Sequence, residues 1–398
     1  MRMSFSWLKS RFIYVFRLVV GHTLFFVIKI AYPLIRIRIG LLNYARIGHL
    51  ATNTELCIRR MSVASNESKD LKIFFSGTPP ANRQLLDMIR RRLTVVENHY
   101  LYEILESIYQ RTNEHKVWIN LRQSGYGLWD EWNAVGPQLS FTEDEHRRGR
   151  EALDSLGFSS NDTFVCFCAR DKAYLDQNHS WRTRQEWSYH DYRNNDINKY
   201  MDGARFLADS GITAIRMGSV VEDDLDETYP GIIDYSKYHR SDFSDVYLTA
   251  HCKFFLGDTG GLFGIPTIFG VPFAAVNLTP LRIVPRTPLD IFIPKKYRYI
   301  STQKIITFKE LIKLGAHDWG RTDKYIDAGI EVIENTSEEI LDLVMEMNAR
   351  IDDTWVTNDG DEELQIRYRD LFSSDHPTFG FPSRIGTQFL RKNSYLLE

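Results

Sequence analysis

Residues 254–266 read Phe254-Phe255-Leu256-Gly257-Asp258-Thr259-Gly260-Gly261-Leu262-Phe263-Gly264-Ile265-Pro266. An apolar strand ends in a glycine-rich turn, and a helix or short turn starts straight after it, as in an α/β unit. The glycines let backbone N–H groups approach an anion closely, Thr259 adds a hydroxyl, and a helix start adds partial positive charge. Asp258 either holds a sugar hydroxyl or caps the turn. No Gly-Lys-Ser/Thr follows, so this is not a Walker loop, and the spacing is not that of a dinucleotide-binding Gly-x-Gly-x-x-Gly.

Outward from this turn the pattern repeats. Thr163–Cys168, Thr213–Met217, Gly231–Tyr235 and Lys253–Leu256 read as extended segments, with helices over Ile197–Ser210 and Asp242–Ala250 between them. Earlier in the chain, Ile35–Leu42, Leu71–Phe75 and Lys116–Leu121 read as strands, and Leu50–Met61 and Arg83–Leu93 as helices. Thr142 and Glu145 form a capping box for a helix that ends near Gly157. Thr336 or Ser337 caps another over Asn335–Arg350. Two successive series, of about 110 and 180 residues, predict two Rossmann-like domains in an α/β architecture with a ligand cleft. The expected division is a basic helix over residues 1–35, one Rossmann-like domain over 36–155, a second over 156–335 and C-terminal helices over 336–398 packing back across the domains.

Composition narrows the function. The 398 residues are 43% hydrophobic and 25% charged, ordinary for a globular chain. A net charge of −3 gives no sign of nucleic-acid binding. The balance is uneven, however: residues 1–60 carry ten Lys/Arg and one acid, Glu55, leaving that end at +9 and the remainder at −12. Four cysteines without a Cys-x-x-Cys pair fit a reducing cytoplasm, and Cys166 and Cys168 are expected in the core. Residues 12–35 (FIYVFRLVVGHTLFFVIKIAYPLI) are apolar but interrupted by Arg17, His22 and Lys29. They read as a basic amphipathic helix lying in an anionic membrane interface, with a true span and a helix packed on protein as the alternatives.

Four further constellations carry charge. Ala169-Arg170-Asp171 follows a strand, where Arg170 suits bidentate phosphate binding or forms a surface pair with Asp171. Tyr189-His190-Asp191-Tyr192-Arg193-Asn194 combines a titratable ring, a carboxylate, a guanidinium and an amide, or is simply a polar loop. Arg46-Ile47-Gly48-His49 precedes a helix, with His49 exposed as an acceptor contact, a base or a structural histidine. Arg216 and Gly218 end another strand as a further phosphate contact. Asp-x-Asp occurs at Asp224/Asp226 and Asp359/Asp361, both in polar loops, so no metal is assigned.

In this order, Arg46-Ile-Gly-His-Leu, Arg170-Asp171, His190-x-Tyr192-Arg193-Asn194, Ile215-Arg216-Met217-Gly218, Asp258-Thr259-Gly260-Gly261, Pro272…Asn277, Pro294-Lys295 and Arg384-Ile385-Gly386-x-x-Phe389-Leu390 are similar to a family. The chain resembles bacterial glycosyltransferases encoded in surface-polysaccharide clusters and, more distantly, GT-B enzymes such as heptosyltransferases. The resemblance implies metal-independent, cofactor-free transfer of a sugar from a nucleotide-sugar to a lipid-linked glycan at the inner face of a bacterial membrane. It puts His49 on the acceptor side, and Arg170, Arg193, Asn194, Arg216, Asp258, Thr259, Gly260 and Gly261 on the donor side. His49, Asp171 and His190 are then the candidate bases. A nucleotide-sugar epimerase and a non-catalytic membrane scaffold are the alternatives.

Overall fold

The computed structural model describes residues 5–64, 70–121, 127–159, 162–173, 188–221, 224–238 and 240–398. The chain divides into two compact units, Met1–Ser124 with Val135–Phe141, and Gly125–Ala134 with Thr142–Glu398. Each is an α/β unit built on a parallel sheet, so the expected pair of Rossmann-like units is present.

In the first unit, helix α1 (Phe5–Ala31) is followed by β1 (Ile37–Leu41), α2 (Ile47–Val63), β2 (Leu71–Ser76), α3 (Arg83–Arg90), β3 (Val95–Glu97), α4 (His99–Thr112) and β4 (Trp118–Ile119). The strands lie in the order β3-β2-β1-β4, all parallel. Asparagines set two helix starts: Asn82 accepts from Leu85 N at 2.9 Å and Asn98 from Leu101 N at 3.0 Å. The expected strand over 116–121 is cut to two residues. His115 turns the chain there, its Nδ1 accepting from Val117 N at 3.2 Å and its carbonyl from Trp118 N at 2.9 Å. Within α2, Arg59 and Glu55 form a buried ion pair at 2.8 Å, and Glu55 also accepts from Gln138 N at 2.8 Å. This pair ties the Val135–Phe141 segment to the unit and removes Arg59 from the basic surface.

The second unit contains β5 (Phe164–Phe167), β6 (Thr213–Arg216), β7 (Ile232–Asp234), β8 (Phe255–Gly257), β9 (Phe273–Leu278), β10 (Ile291–Pro294) and, late in the chain, β14 (Arg384–Ile385). They form one parallel sheet in the order β14-β10-β9-β8-β5-β6-β7. Both β5 and β9 are buried along their whole length, which is why they read as continuous apolar runs rather than alternating ones. Strands β11 (Lys296–Tyr299), β12 (Ile305–Ile306) and β13 (Ile330–Ile333) make a small antiparallel sheet. The capping box at Thr142/Glu145 forms as expected, and Gly157, at φ 87°, follows that helix; of the two caps offered for the late helix, Thr336 is the one used, in a capping box with Glu339. Cys166 and Cys168 are core residues.

Boundaries in this unit also differ from the sequence reading. The expected helix over 197–210 is a 3₁₀ turn, Ile197–Tyr200, running into an α-helix over Met201–Asp209. Asp196 Oδ1 accepts from Asn198 N at 2.9 Å and tightens that first turn. The strand expected over 253–256 sits at Phe255–Gly257. Lys253 instead reaches Asn348 Oδ1 and Asp352 Oδ2, each at 2.8 Å.

The order of the large sheet reverses between β5 and β8. From β5 the chain builds outward through β6 and β7; β8 lies on the other side, with β9, β10 and β14 beyond it. Loops leaving adjacent strands in opposite directions open a crevice at their carboxyl ends, where sheets of this kind bind ligands.

In the first unit, Gly40 of β1 faces Phe74 of β2, and a Cβ there would lie 2.4 Å from Phe74 Cδ1 and 2.9 Å from Leu121 Cδ1. The Gly40→Ala variant should therefore lose about 1–3 kcal/mol of stability through overpacking, read as a lower urea midpoint with an unchanged slope.

Candidate functional site

The crevice between β5 and β8 is closed by one carboxylate. Asp258, immediately after β8 and 1% exposed, accepts from three N–H groups on three segments. Its Oδ2 takes Arg170 N at 2.7 Å and Asn195 Nδ2 at 2.5 Å, and its Oδ1 takes Gly260 N at 2.7 Å. Through the bond from Gly260 N, Asp258 caps the turn. A Cβ on Gly260 would sit 3.3 Å from Asp258 Oδ1 and 3.7 Å from Arg170 Cβ, so the loop after β8 lies directly against the loop after β5.

Around this tie the structure gathers most of the predicted residues. The 3₁₀ turn Ser188–Arg193 passes over the two loops. Arg170 Nη1 donates to Asn194 Oδ1 and, at 3.4 Å, to the His190 carbonyl. Arg193 Nε donates to Thr259 Oγ1 at 2.9 Å and its Nη2 to the Thr259 carbonyl. Each guanidinium is thus held by neutral acceptors, and among the described residues neither has a carboxylate within ion-pair distance. Burial, with Arg193 close by, lowers the Arg170 pKa to about 10. The cation persists at neutral pH and is incompletely neutralised, the condition that favours an anionic ligand.

Other predicted residues have different surroundings. Asp171 Oδ1 accepts from Ala173 N at 2.8 Å, and the His190 ring lies 3.9 Å from that of Tyr189. Gly261 is exposed at the rim. The helix expected after the glycine turn is short, Gly264–Phe269, so its dipole adds little positive charge at the loop. Arg216 is buried and donates to Asp234 Oδ2 on β7 at 3.1 Å, a committed pair within the sheet. His49 lies in the other unit, exposed on the first turn of α2, which starts at Ile47 rather than at Leu50. Asp224 pairs with Lys237 at 2.6 Å and Asp361 with Arg391 at 2.6 Å.

Two residues essential to this geometry were not among the predicted site residues. Asn195 gives one side-chain hydrogen to Asp258 and, at 3.0 Å, another to the Arg193 carbonyl. Lys295, after β10 and 2% exposed, donates to the carbonyls of Tyr192 at 3.2 Å and Asn194 at 3.0 Å. Lys295 therefore holds both ends of the stretch that carries Arg193. Its motif, Pro294-Lys295, was visible, but its target is a hundred residues away in sequence. Asn277, at φ 56°, exchanges hydrogen bonds with Asn335 at 2.6 and 2.7 Å and ties β9 to the segment after β13.

No protein-family model matches the chain, and no curated protein matches it in sequence. Solved structures similar to it include a glycosyl transferase of family 9 from Veillonella parvula, at 10% identity and TM-score 0.37, over 61% of this chain and 80% of that one. Another is the E. coli ADP-heptose lps heptosyltransferase II, at 12% identity and TM-score 0.40, over 60% and 84%. A third is the heptosyltransferase TibC in complex with ADP-D-beta-D-heptose, at 12% identity and TM-score 0.31, over 61% and 58%. Likenesses at this level carry no functional inference; the chemistry of the site rests on the chain's own residues.

Burial lowers the Lys295 pKa to about 8, with Glu334 and Asp258 opposing and Lys199 and Arg170 adding to the shift. A lysine depressed in the folded state binds fewer protons folded than unfolded, so its contribution to stability rises with pH from about 8 toward the unfolded value near 10.4. Between pH 7.5 and 9.5 wild type should gain about 2 kcal/mol relative to Lys295→Met. Paired thermal unfolding at the two pH values measures this; a pH-independent difference would contradict it.

Proposed function

We propose that the second unit binds the diphosphate of a nucleotide-sugar in the β5–β8 crevice, and that the chain is a metal-independent glycosyltransferase. The observation that carries this reading is the pair of guanidinium groups, Arg170 and Arg193, both held by neutral acceptors beside the Thr259-Gly260-Gly261 turn. A diphosphate offers the charge and the bidentate oxygens such groups suit. The order of short motifs that resembles surface-polysaccharide glycosyltransferases supports the same assignment.

In the transfer, the bond between the sugar's anomeric carbon and the diphosphate oxygen breaks, and the acceptor oxygen bonds to that carbon. The electron pair leaves with the diphosphate, so negative charge grows where Arg170, Arg193 and the Gly261 amide stand, and stabilisation there lowers the barrier. The acceptor's hydroxyl proton goes to a base, for which His49, Asp171 and His190 are the candidates. The acceptor we propose is a lipid-linked glycan of bacterial surface-polysaccharide assembly. The basic character of residues 1–60 supports an acceptor that stays at an anionic membrane, on its cytoplasmic face.

The test is thermal-shift binding against UDP, GDP, CDP, ADP, dTDP and CMP, with wild type beside Arg170→Ala and Arg193→Gln. Stabilisation by one nucleoside diphosphate is expected. Loss of one phosphate-binding guanidinium should weaken that affinity about ten- to hundredfold. Arg193→Gln keeps a side-chain donor for the Thr259 carbonyl, so the fold survives to report the loss. Absence of any nucleotide effect, with glycan assembly intact in both variants, would refute the transferase and favour a scaffold.

A further inference from the structure

We infer that α1 docks side-on into an anionic lipid surface, lying in the plane of the membrane rather than crossing it. The inference is independent of the proposed transferase activity. By length and composition Arg11–Ala31 suits either arrangement. The helix has two faces of different fate. Arg17, Gly21, Phe25 and Tyr32 recur at helical spacing on one side and meet the first unit. Arg17 pairs with Glu103 of α4, Phe25 stacks on Trp118 at 6.1 Å, and Lys116 lies over Tyr32 at 4.6 Å. At Gly21 the two helices come so close that a Cβ would lie 2.7 Å from Ile108 Cγ2 and 3.0 Å from the Ile104 carbonyl.

The opposite side is apolar and open. Phe12, Phe16, Val19, Phe26 and Ile30 share it, each more than half exposed. Arg11 and Lys29, eighteen residues or five turns apart, sit on one edge of this stripe with His22 between them, and both are exposed. Exposed Arg36 follows the helix, and the sequence has no acid before Glu55. An apolar stripe with basic residues along its margin is complementary to a bilayer carrying anionic headgroups. The rings enter the acyl boundary while the cations stay at the phosphates. A transverse helix is excluded by its packed face. It would carry α4, with exposed Gln110 and Arg111, into hydrocarbon beside it.

The experiment uses the whole protein and vesicles of phosphatidylglycerol with phosphatidylcholine, against phosphatidylcholine alone. Binding to the anionic vesicles is expected, weakened at least tenfold in Phe16→Ser/Phe26→Ser and several-fold in Arg11→Gln/Lys29→Gln, with unfolding temperature unchanged. Orientation is read separately. All four native cysteines are buried, so nitroxide labels on Phe16→Cys and Phe26→Cys report their own positions. An in-plane helix places both labels at one depth, whereas a crossing helix separates them by about 15 Å. Unequal depths would overturn the inference. So would failure to bind anionic vesicles, including the case in which the same serine variants instead dissolve a dimer of this chain.

Discussion

A buried carboxylate is costly unless its lone pairs are filled, and Asp258 fills them with N–H groups from three places in the chain. Each such charge-assisted bond is worth about 1.5–3 kcal/mol, enough to set the positions of short loops. The loop after β5, the loop after β8 and the segment at Asn195 are fixed relative to one another by this one side chain. The sheet supplies the site by reversing its strand order here. Asp258 converts two diverging loops into a defined surface.

That choice has an electrostatic consequence. Because Asp258 directs its oxygens at amides, it does not clamp the guanidinium of Arg170, which turns to Asn194 and the His190 carbonyl instead. Arg193 likewise rests on Thr259. Positive charge is therefore held in place by neutral atoms. The ordering of the Arg193 segment is delegated to Lys295, a buried cation that spends its hydrogens on backbone carbonyls. Arg216, only two strands away from β8, shows the contrast: paired with Asp234, it serves the sheet.

Apolar runs ending in polar or glycine-rich turns made both loops of the crevice readable from sequence, since Gly257–Gly261 and Arg170–Asp171 each follow a strand that is buried along its length. Which strand neighbours which was not readable: Arg216 ends the strand next to β5, yet its guanidinium turns to Asp234 of β7. Arg216 and Asp234 lie opposite each other only because β6 and β7 pair in that register. Asn195 and Lys295 escaped for a related reason, being single polar residues whose partners are set by folding over long separations. His49 was legible as an exposed residue near a helix start, and it belongs to the other unit. The apolar and basic composition of α1 was plain from the sequence. That one face is taken by α4 became visible only through the approach at Gly21.

In the function proposed, two guanidinium groups positioned by the Asp258 network bind a diphosphate. The most direct measurement of this is the affinity of the intact protein for a nucleoside diphosphate against the monophosphate of the same nucleoside, in wild type and in Asp258→Asn. At least a tenfold preference for the diphosphate is expected in wild type, collapsing toward parity in Asp258→Asn. Equal affinities in wild type, or a preference untouched by the substitution, would contradict it.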